Sequence, residues 1–485
     1  MNVLLITADQ WRGDCLSSLG HPAARTPNLD RLAAGGVHFT RHYANAAPCG
    51  PSRASLLTGL YAHNHRAIRN GTPLDARHTN LALELRKAGY RPVLFGYTDT
   101  TPDPRGLPAA DPSLTSYEQV LAGFEPGHFL PAHQAAWLAH LKRRGIAIPG
   151  PEFAIYQGRP GDAAPFAAED SETAWLTDRV IDHLDMALDA PWFVHVSYLR
   201  PHPPWIAPAP WNSLIGPEAL PPPRRRFSPE AEAATHPVLG FLHATNRLEK
   251  YWPDGRGLVR DLDPETEALA RATYLCLMAE ADHHIGRLLD WLAASGQGDD
   301  TLVVLTSDHG EQWGDQWLFG KHAWFDSSFH IPLIVSGPGI VPGRVDRFTE
   351  SVDVMPTILD LLGLPIPDQC DGLALSPFLA GGEPEAWRDA AHWSFDLRDV
   401  REKEAERWFS LPSDRLSLMV RREAGMKYVH CAALPPLLLG ADDLSVLEDT
   451  GECLRMAQAM LSFRLAHEYG ALDRLAAGPG GIRRG

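Results

Sequence analysis

Two short segments, Val3-Leu4-Leu5-Ile6-Thr7 and Thr301-Leu302-Val303-Val304-Leu305-Thr306, are apolar at nearly every position instead of at every second one. A strand with one wet face alternates. A strand without alternation is buried on both faces, and both faces are covered when helices pack on each side of a mostly parallel sheet. Pro92 to Phe95, Trp192 to Val196 and Ile331 to Val335 read as further strands of this kind. The intervening sequence has helical period and helical punctuation. Thr26-Pro27 offers an N-cap and a first helical residue, with Gly35-Gly36 as the stop. Thr79 to Ala88 ends at Gly89, Asp170 to Leu188 and Pro264 to Ala294 are further helices, and Val352 to Leu362 carries Pro356 in its first turn. The expected fold class is α/β, a large mostly parallel sheet sandwiched by helices. Two Pro-rich regions, 101–165 and 200–260, break this rhythm and are predicted to be long surface excursions.

At 485 residues the chain exceeds the size at which one core stops growing, so a smaller companion is expected. The alternation fades near residue 370. This predicts a large α/β domain over 1–370 and a smaller α+β subdomain over 371–485. Leu418-Met419-Val420 and Tyr428-Val429-His430 are its strands, and Glu452 to His467 its terminal helix. A net charge of -16 argues against nucleic acid and anionic membranes as partners. No stretch has the length and apolarity of a membrane span, and the N-terminus reads as a buried strand, not a signal peptide. The six cysteines (15, 49, 276, 370, 431 and 453) are scattered without a CxxC pair, which predicts a reduced, cytoplasmic setting. An anionic substrate would need a local positive site to overcome the overall field.

In open α/β sheets ligands bind at the carboxyl ends of the strands. Three such ends are polar here: Asp9-Gln10, Tyr97-Thr98-Asp99 and Asp308-His309. Two carboxylates and an imidazole converging on one crevice would hold a divalent cation. Taken singly, an Asp after a strand is an ordinary turn or cap residue. A sharper pattern is Cys49-Gly50-Pro51-Ser52-Arg53-Ala54-Ser55-Leu56-Leu57-Thr58-Gly59. Pro51 suits the first turn of a helix, which puts Cys49 at a helix N-terminus, where negative charge is favoured. The plain alternative is a buried thiol beside a helix.

Those eleven residues match the signature of the type I sulfatases, in which Cys-x-Pro-Ser-Arg directs oxidation of the cysteine to formylglycine (3-oxoalanine). The chain resembles that family, an alkaline phosphatase superfamily fold, over most of its length, and most closely the phosphonate monoester hydrolases and their arylsulfatase relatives. Ala8 to Arg12, Gly96-Tyr97, Thr101 to Arg105, Arg200 to Pro204, Thr306 to Gln312 and Val352 to Leu359 carry the resemblance. Tyr428 to His430 and Ala432 to Leu437 extend it into the C-terminal part. It implies that Asp9, Cys49, Asp308 and His309 hold one divalent metal. Gln10 and His309 stand where many sulfatases have Asp and Asn, which moves the preference from Ca²⁺ towards Mn²⁺, with Zn²⁺ a third choice. It further implies that Arg53 fixes the formylglycine hydroxyl, that His202 or Lys321 donates a proton, and that Gln10, Asn70, Tyr97 and Asp99 meet the substrate. Asn70 before Gly71 could equally make a turn, Tyr97 could be core, and Lys321 a surface charge.

Two positions depart from the family. Asp99 stands where the phosphonate branch has a hydroxyl residue, and a carboxylate there would repel an anion unless turned away, protonated or paired, for instance with Arg105. Gly440 to Gly451 lacks the acidic Asp-Pro turn common near the family's C-terminus. The implied chemistry is attack by a metal-acidified hydroxyl of the formylglycine hydrate, then collapse to the aldehyde, with Asp308 or His309 as base. Substrates would be phosphonate monoesters, phosphate diesters and aryl sulfates, each a tetrahedral centre with one negative charge. A maturation enzyme that generates formylglycine and a homo-oligomer, dimer or tetramer, are the expected partners. Two alternatives stay open: a strict arylsulfatase or choline-sulfatase-like enzyme, and a degenerate anion-binding protein whose Cys49 is never oxidised. A two-metal phosphatase is disfavoured, because no additional His/Asp cluster is present for a second ion.

Overall fold

The strand Asn2–Ala8 (β1) is buried at every position and lies at the centre of an eight-stranded sheet. The remaining strands, in chain order, are β2 (Val37–Tyr43), β3 (Ala46–Ala47), β4 (Pro92–Gly96), β5 (Glu125–Phe129), β6 (Phe193–Tyr198), β7 (Thr301–Thr306), β8 (His330–Ser336) and β9 (Gly343–Glu350). They are followed by β10 (Ala390–Asp396), β11 (Ser417–Glu423), β12 (Met426–Cys431), β13 (Leu437–Gly440), β14 (Leu475–Gly478) and β15 (Gly481–Arg484). The computed structural model describes residues 1–468, 475–478 and 481–484, apart from 117–118, 130–134, 151, 187–190 and 400. The main sheet runs β5-β4-β6-β1-β7-β8-β2-β9. It is parallel from β5 to β7, and β8 is antiparallel to both of its neighbours. The mostly parallel α/β architecture expected from the apolar runs is therefore present.

Each central strand feeds two cores, because successive side chains point to opposite faces. Leu4 and Ile6 join Val194, Val196, Val303 and Leu305 under the helices Glu172–Leu184 and Pro264–Ala294. Val3 and Leu5 join Leu302 and Val304 on the other face, under Leu56 and Leu57 of the helix Cys49–Thr58 and Met355 and Ile358 of Val354–Leu361. A third core joins Trp393, Val420 and Val429 of the five-stranded sheet β13-β12-β11-β10-β3 to Tyr43, Leu318 and Trp324. That sheet borrows β3 from the N-terminal segment, with Ala46 and Ala47 in register with Ser394 and Phe395.

Several local expectations change. The helix over 79–88 is Leu81–Lys87, capped by Asn80, whose Oδ1 accepts the Leu83 N–H at 3.1 Å. Thr26 precedes its helix without capping it, since its hydroxyl accepts the Ser17 N–H at 2.9 Å instead. The helix expected over 170–188 is Glu172–Leu184; the last two expected positions, 187–188, lie outside the described residues. The Pro-rich regions are surface excursions only in part: residues 101–116 and 221–231 include no buried position, whereas Trp137, Tyr156, Trp205 and Val238 are buried. Large rings anchor these segments through side-chain packing, which no strand or helix period reveals.

Candidate active site

Four chain segments end at one place, the carboxyl edge of β1, β4, β6 and β7. The helix Cys49–Thr58 points its first residue at that edge and is buried along its whole length. Its N-terminus is held by Asn70, whose Oδ1 accepts the Gly50 N–H at 2.9 Å. A Cβ on Gly50 would stand 2.9 Å from the Asp99 carbonyl and 3.2 Å from Asn70 Oδ1, so only glycine lets the segment after β4 close on this turn. Ser52 donates its hydroxyl to the Asp308 carbonyl and ties the helix to β7. The helix stops at Gly59 (φ 70°), whose N–H returns to Ser55 O at 3.0 Å.

Asp9, Cys49, Asp308 and His309 come together there, with one ligand atom from each lying within 4.8 Å of all the others. Cys49 Sγ is 3.2 Å from His309 Nε2, which is 3.8 Å from Asp9 Oδ1 and 3.7 Å from Asp308 Oδ2. His309 Nδ1 lies 3.1 Å from the Gly310 carbonyl, an acceptor only, so the ring proton sits on Nδ1 and the Nε2 lone pair faces the cluster. Hard carboxylate oxygens and a correctly turned imidazole fit one divalent cation. All four side chains are buried.

Arg53 is spent on the cluster's carboxylates. Its Nη2 donates to Asp9 Oδ2 and its Nε to Asp308 Oδ2, both at 3.0 Å, while Nη1 donates to the Tyr97 carbonyl (2.9 Å) and Ser197 Oγ (2.7 Å). None of these contacts goes to Cys49. The Tyr97 ring lies 4.3 Å from the guanidinium carbon, and its hydroxyl donates to Asp9 Oδ2 at 2.6 Å. Burial opposes ionisation of Asp9, yet the fields of His202, Arg53, His309 and Lys321 hold its carboxyl well below the usual carboxylate range. Burial and the Asp9 charge push the Cys49 thiol well above its ordinary value.

Gln10 sits in the left-handed region (φ 70°), a conformation that sends its N–H to Asp308 Oδ1 at 3.0 Å. Its amide oxygen accepts from Lys321 Nζ at 2.6 Å, and its amide nitrogen donates to Glu311. Lys321 is thus a fixed member of the site and not a free surface charge; although burial alone would lower its pKa, the facing acids, Cys49 and Asp9 foremost, raise it. His202 Nδ1 lies 2.7 Å from the Pro203 carbonyl, so it carries the proton and leaves Nε2 as an acceptor. Burial and Lys321 push this imidazole down to about 3. Asp99 is buried at φ 50° beside the Cys49 turn, and its charge also raises the thiol. The ion pairs of Arg105 run to Asp75 and Asp103. Nothing in the sequence signalled Ser197, and Glu311 went unassigned although it lies inside the quoted Thr306 to Gln312 stretch.

Above Lys321 and His202 opens a cavity of about 540 Å³, walled by Pro203, Phe241 and Tyr251 and reaching Phe395 of β10. Gln10, just beyond β1, lines it as well.

Residues 1–364 match the sulfatase family, and residues 314–423 match the C-terminal region of N-sulphoglucosamine sulphohydrolase. The chain is 40% identical over 506 residues to the multifunctional alkaline phosphatase superfamily protein PehA of Trinickia caryophylli, covering 99% of this chain and 98% of the relative. The crystal structure of the phosphonate monoester hydrolase of Agrobacterium radiobacter superposes with a TM-score of 0.96 at 44% identity, over 100% of this chain and 99% of the other. The phosphonate monoester hydrolase of Silicibacter pomeroyi gives 0.95 at 39%, again over 100% and 99%.

Proposed function

The chain belongs to the sulfatase family, and from that premise we propose that it hydrolyses monoanionic esters, phosphonate monoesters and phosphate diesters foremost and aryl sulfates alongside them. One observation carries this reading. Cys49, the cysteine of the oxidation signature, places its Sγ among two carboxylates and an imidazole. A neutral thiol is a poor partner for the hard cation that such donors select, whereas an oxygen at the same position completes the set. Asp9, Cys49 as formylglycine, Asp308 and His309 would hold one ion, with Mn²⁺ favoured over Ca²⁺ and Zn²⁺. Bound there, the ion and the aldehyde hydrate would supply an acidified hydroxyl nucleophile and a Lewis acid.

The remaining work falls to the chain's own side chains. Arg53 and Lys321 offset the charges of Asp9 and Asp308, and the bound ion would supply the positive charge that draws a substrate anion. Arg53 and Tyr97 hold the outer oxygen of Asp9, which leaves the inner oxygen facing the cluster. Lys321, steadied by Gln10, is the proton donor or charge stabiliser for the departing oxygen. His202, with its proton committed to a carbonyl, serves instead to accept and orient. Asn70 keeps the turn under the nucleophile in place, and Asp99 flanks the substrate. Maturation requires a formylglycine-generating enzyme in the same compartment, taken to be the cytoplasm. Leu454, Leu461 and Leu465 form one exposed apolar stripe on the helix Thr450–Ala466, which supports a homo-oligomer.

The test is a matched kinetic panel of a phosphonate monoester, a phosphate diester and an aryl sulfate on protein matured to formylglycine, with metal content measured on the same sample. Turnover of all three with one metal per chain is expected. Absence of turnover by matured, metal-loaded protein would overturn the reading.

A further inference from the structure

The cavity above the cluster has a polar end that the reaction does not use. Arg69 and Lys250 line it together with Lys321 and His202. The Arg69 guanidinium donates to the Asp396 carbonyl at 2.9 Å and lies 5.9 Å from the Phe395 ring centre. Among the described residues, no carboxylate comes within 4.0 Å of the charged nitrogens of either Arg69 or Lys250. Asp399, Glu402 and Glu404 stand on the same rim; the charges of Glu404 and Asp399 act on Lys250, and that of Asp399 also acts on Arg69, at longer range than an ion pair. Asp399 accepts the Arg401 N–H at 3.0 Å. Glu404 opens the helix Glu404–Phe409, where negative charge offsets the helix dipole. Glu402 and Glu404 are both exposed.

Lys321, at the inner end, already has Gln10 as its partner. Two cations with no carboxylate within 4.0 Å therefore line the same cavity as Lys321, His202 and Gln10 of the candidate site, in a chain whose net charge is -16. Such a pair draws an oxyanion, and a guanidinium presents the forked donors that a carboxylate or phosphate matches.

We propose that Arg69 and Lys250 form a second oxyanion subsite, which takes a carboxylate or phosphate group carried on the organic part of the ester being cleaved. The inference rests on the hydrolysis proposed above and adds a substrate class to it: esters with one charge at the reacting centre and a further charge a few bonds away. Hydrolysis at the first centre needs nothing from this subsite except position.

The experiment uses the matured holoenzyme and aryl phenylphosphonates that bear a neutral, carboxylate, phosphate or trimethylammonium substituent. One series places the substituent on the retained ring and one on the released phenol. In one of the two series the anionic esters should exceed the neutral one in kcat/KM by on the order of tenfold. The better of carboxylate and phosphate names the natural group. Arg69→Gln and Lys250→Gln should each remove that preference and leave the neutral ester unchanged, and Arg69→Lys should restore part of it. If Arg69→Gln does not fold, Lys250→Gln decides, because that side chain is exposed. Equal turnover of all charge types in both series overturns the subsite. So does a preference for the cationic ester, or a variant that slows neutral and anionic esters alike. Failure of the matured parent protein on every ester, the neutral ones included, sinks the hydrolase reading as well, so the two failures are told apart.

Discussion

Tyr97 donates its phenolic O–H to Asp9 Oδ2 at 2.6 Å while its ring covers Arg53 at 4.3 Å. One residue after β4 thus orients a carboxylate at the end of β1 and shields the guanidinium that neutralises it. Outer-shell partners of this kind set ligand direction and tune affinity for the ion. Tyr97→Phe keeps the ring and removes only the hydrogen bond. Metal affinity, read by chelator competition, should fall on the order of tenfold with the fold intact. Unchanged affinity would mean that Arg53 alone fixes Asp9.

The cluster was legible in the sequence because its ligands follow strands whose unbroken apolar character marks them as central, as Asp9 follows Ile6 and Asp308 follows Leu305. The Cys49 helix was legible from its own pattern. What could not be read was who holds whom. The separation between Arg53 and its two carboxylates is 44 and 255 residues, and no local spacing encodes contacts at such range. The buried parts of the Pro-rich segments escaped notice for a related reason: Trp205 packs on Tyr251 and Phe319 without any periodic element to announce it.

Replacing the nucleophile's precursor separates chemistry from scaffold. The Cys49 helix is anchored by Asn70, Ser52 and Arg53, none of which needs the sulfur. Cys49→Ala should therefore keep its thermal midpoint and lose turnover by on the order of 10³-fold or more. In the parent protein, peptide mass spectrometry should find formylglycine at this position whenever activity is present. Full activity in protein carrying only the thiol contradicts the mechanism.

Glu311 is the buried anchor of Lys321. Its Oε1 accepts the N–H groups of Trp313 (2.9 Å) and Gly320 (2.5 Å), and Oε2 accepts from Gln10, which in turn steadies the Lys321 ammonium. In Glu311→Gln one end becomes a donor facing a donor. The variant should lose about 1–3 kcal/mol of stability. Its kcat deficit should grow as the leaving alcohol becomes a poorer leaving group, because Lys321 is displaced from the departing oxygen. A uniform deficit across leaving groups would make Glu311 merely structural.

Away from the cluster, Glu280 and Glu172 lie buried near Arg200, and burial raises each to about 7, partly offset by the Arg200 charge. Glu280 gains a further offset from its hydrogen bond to Ser171, and the Glu280 charge adds to the rise at Glu172. A carboxyl whose folded value exceeds its unfolded one binds protons more tightly in the fold. Stability is then full at low pH and drops as pH rises from the unfolded value of 4.5 towards 7. Glu280→Gln should be more stable than the parent at pH 8 by up to about 3 kcal/mol and nearly equal to it at pH 4.5. Denaturation at both pH values checks the sign. A gain of equal size at each would show that Glu280 is not protonated in the fold.

Asp99 is the residue whose presence a hydroxyl-bearing relative would not forecast, and its backbone explains the choice. It sits at φ 50°, and its carbonyl oxygen faces Gly50 so closely that a Cβ there would stand 2.9 Å away. Asp and Asn tolerate the left-handed region, whereas a β-branched side chain does so poorly. Asp99→Asn removes the charge and keeps the conformation; Asp99→Thr restores the family's hydroxyl but strains the turn by about 1–2 kcal/mol. The Thr variant should therefore melt below the Asn variant. It should also be slower on sulfate and phosphonate esters alike, because the displaced carbonyl disturbs Gly50 and the nucleophile beside it. The Asn variant reports the charge alone, and its KM for monoanionic esters should fall, since a buried carboxylate that already opposes negative charge at Cys49 has been neutralised. Parallel melting curves and KM values for the two variants decide the matter: a Thr variant as stable and as fast as the Asn variant would show that the turn yields and that charge alone governs this position.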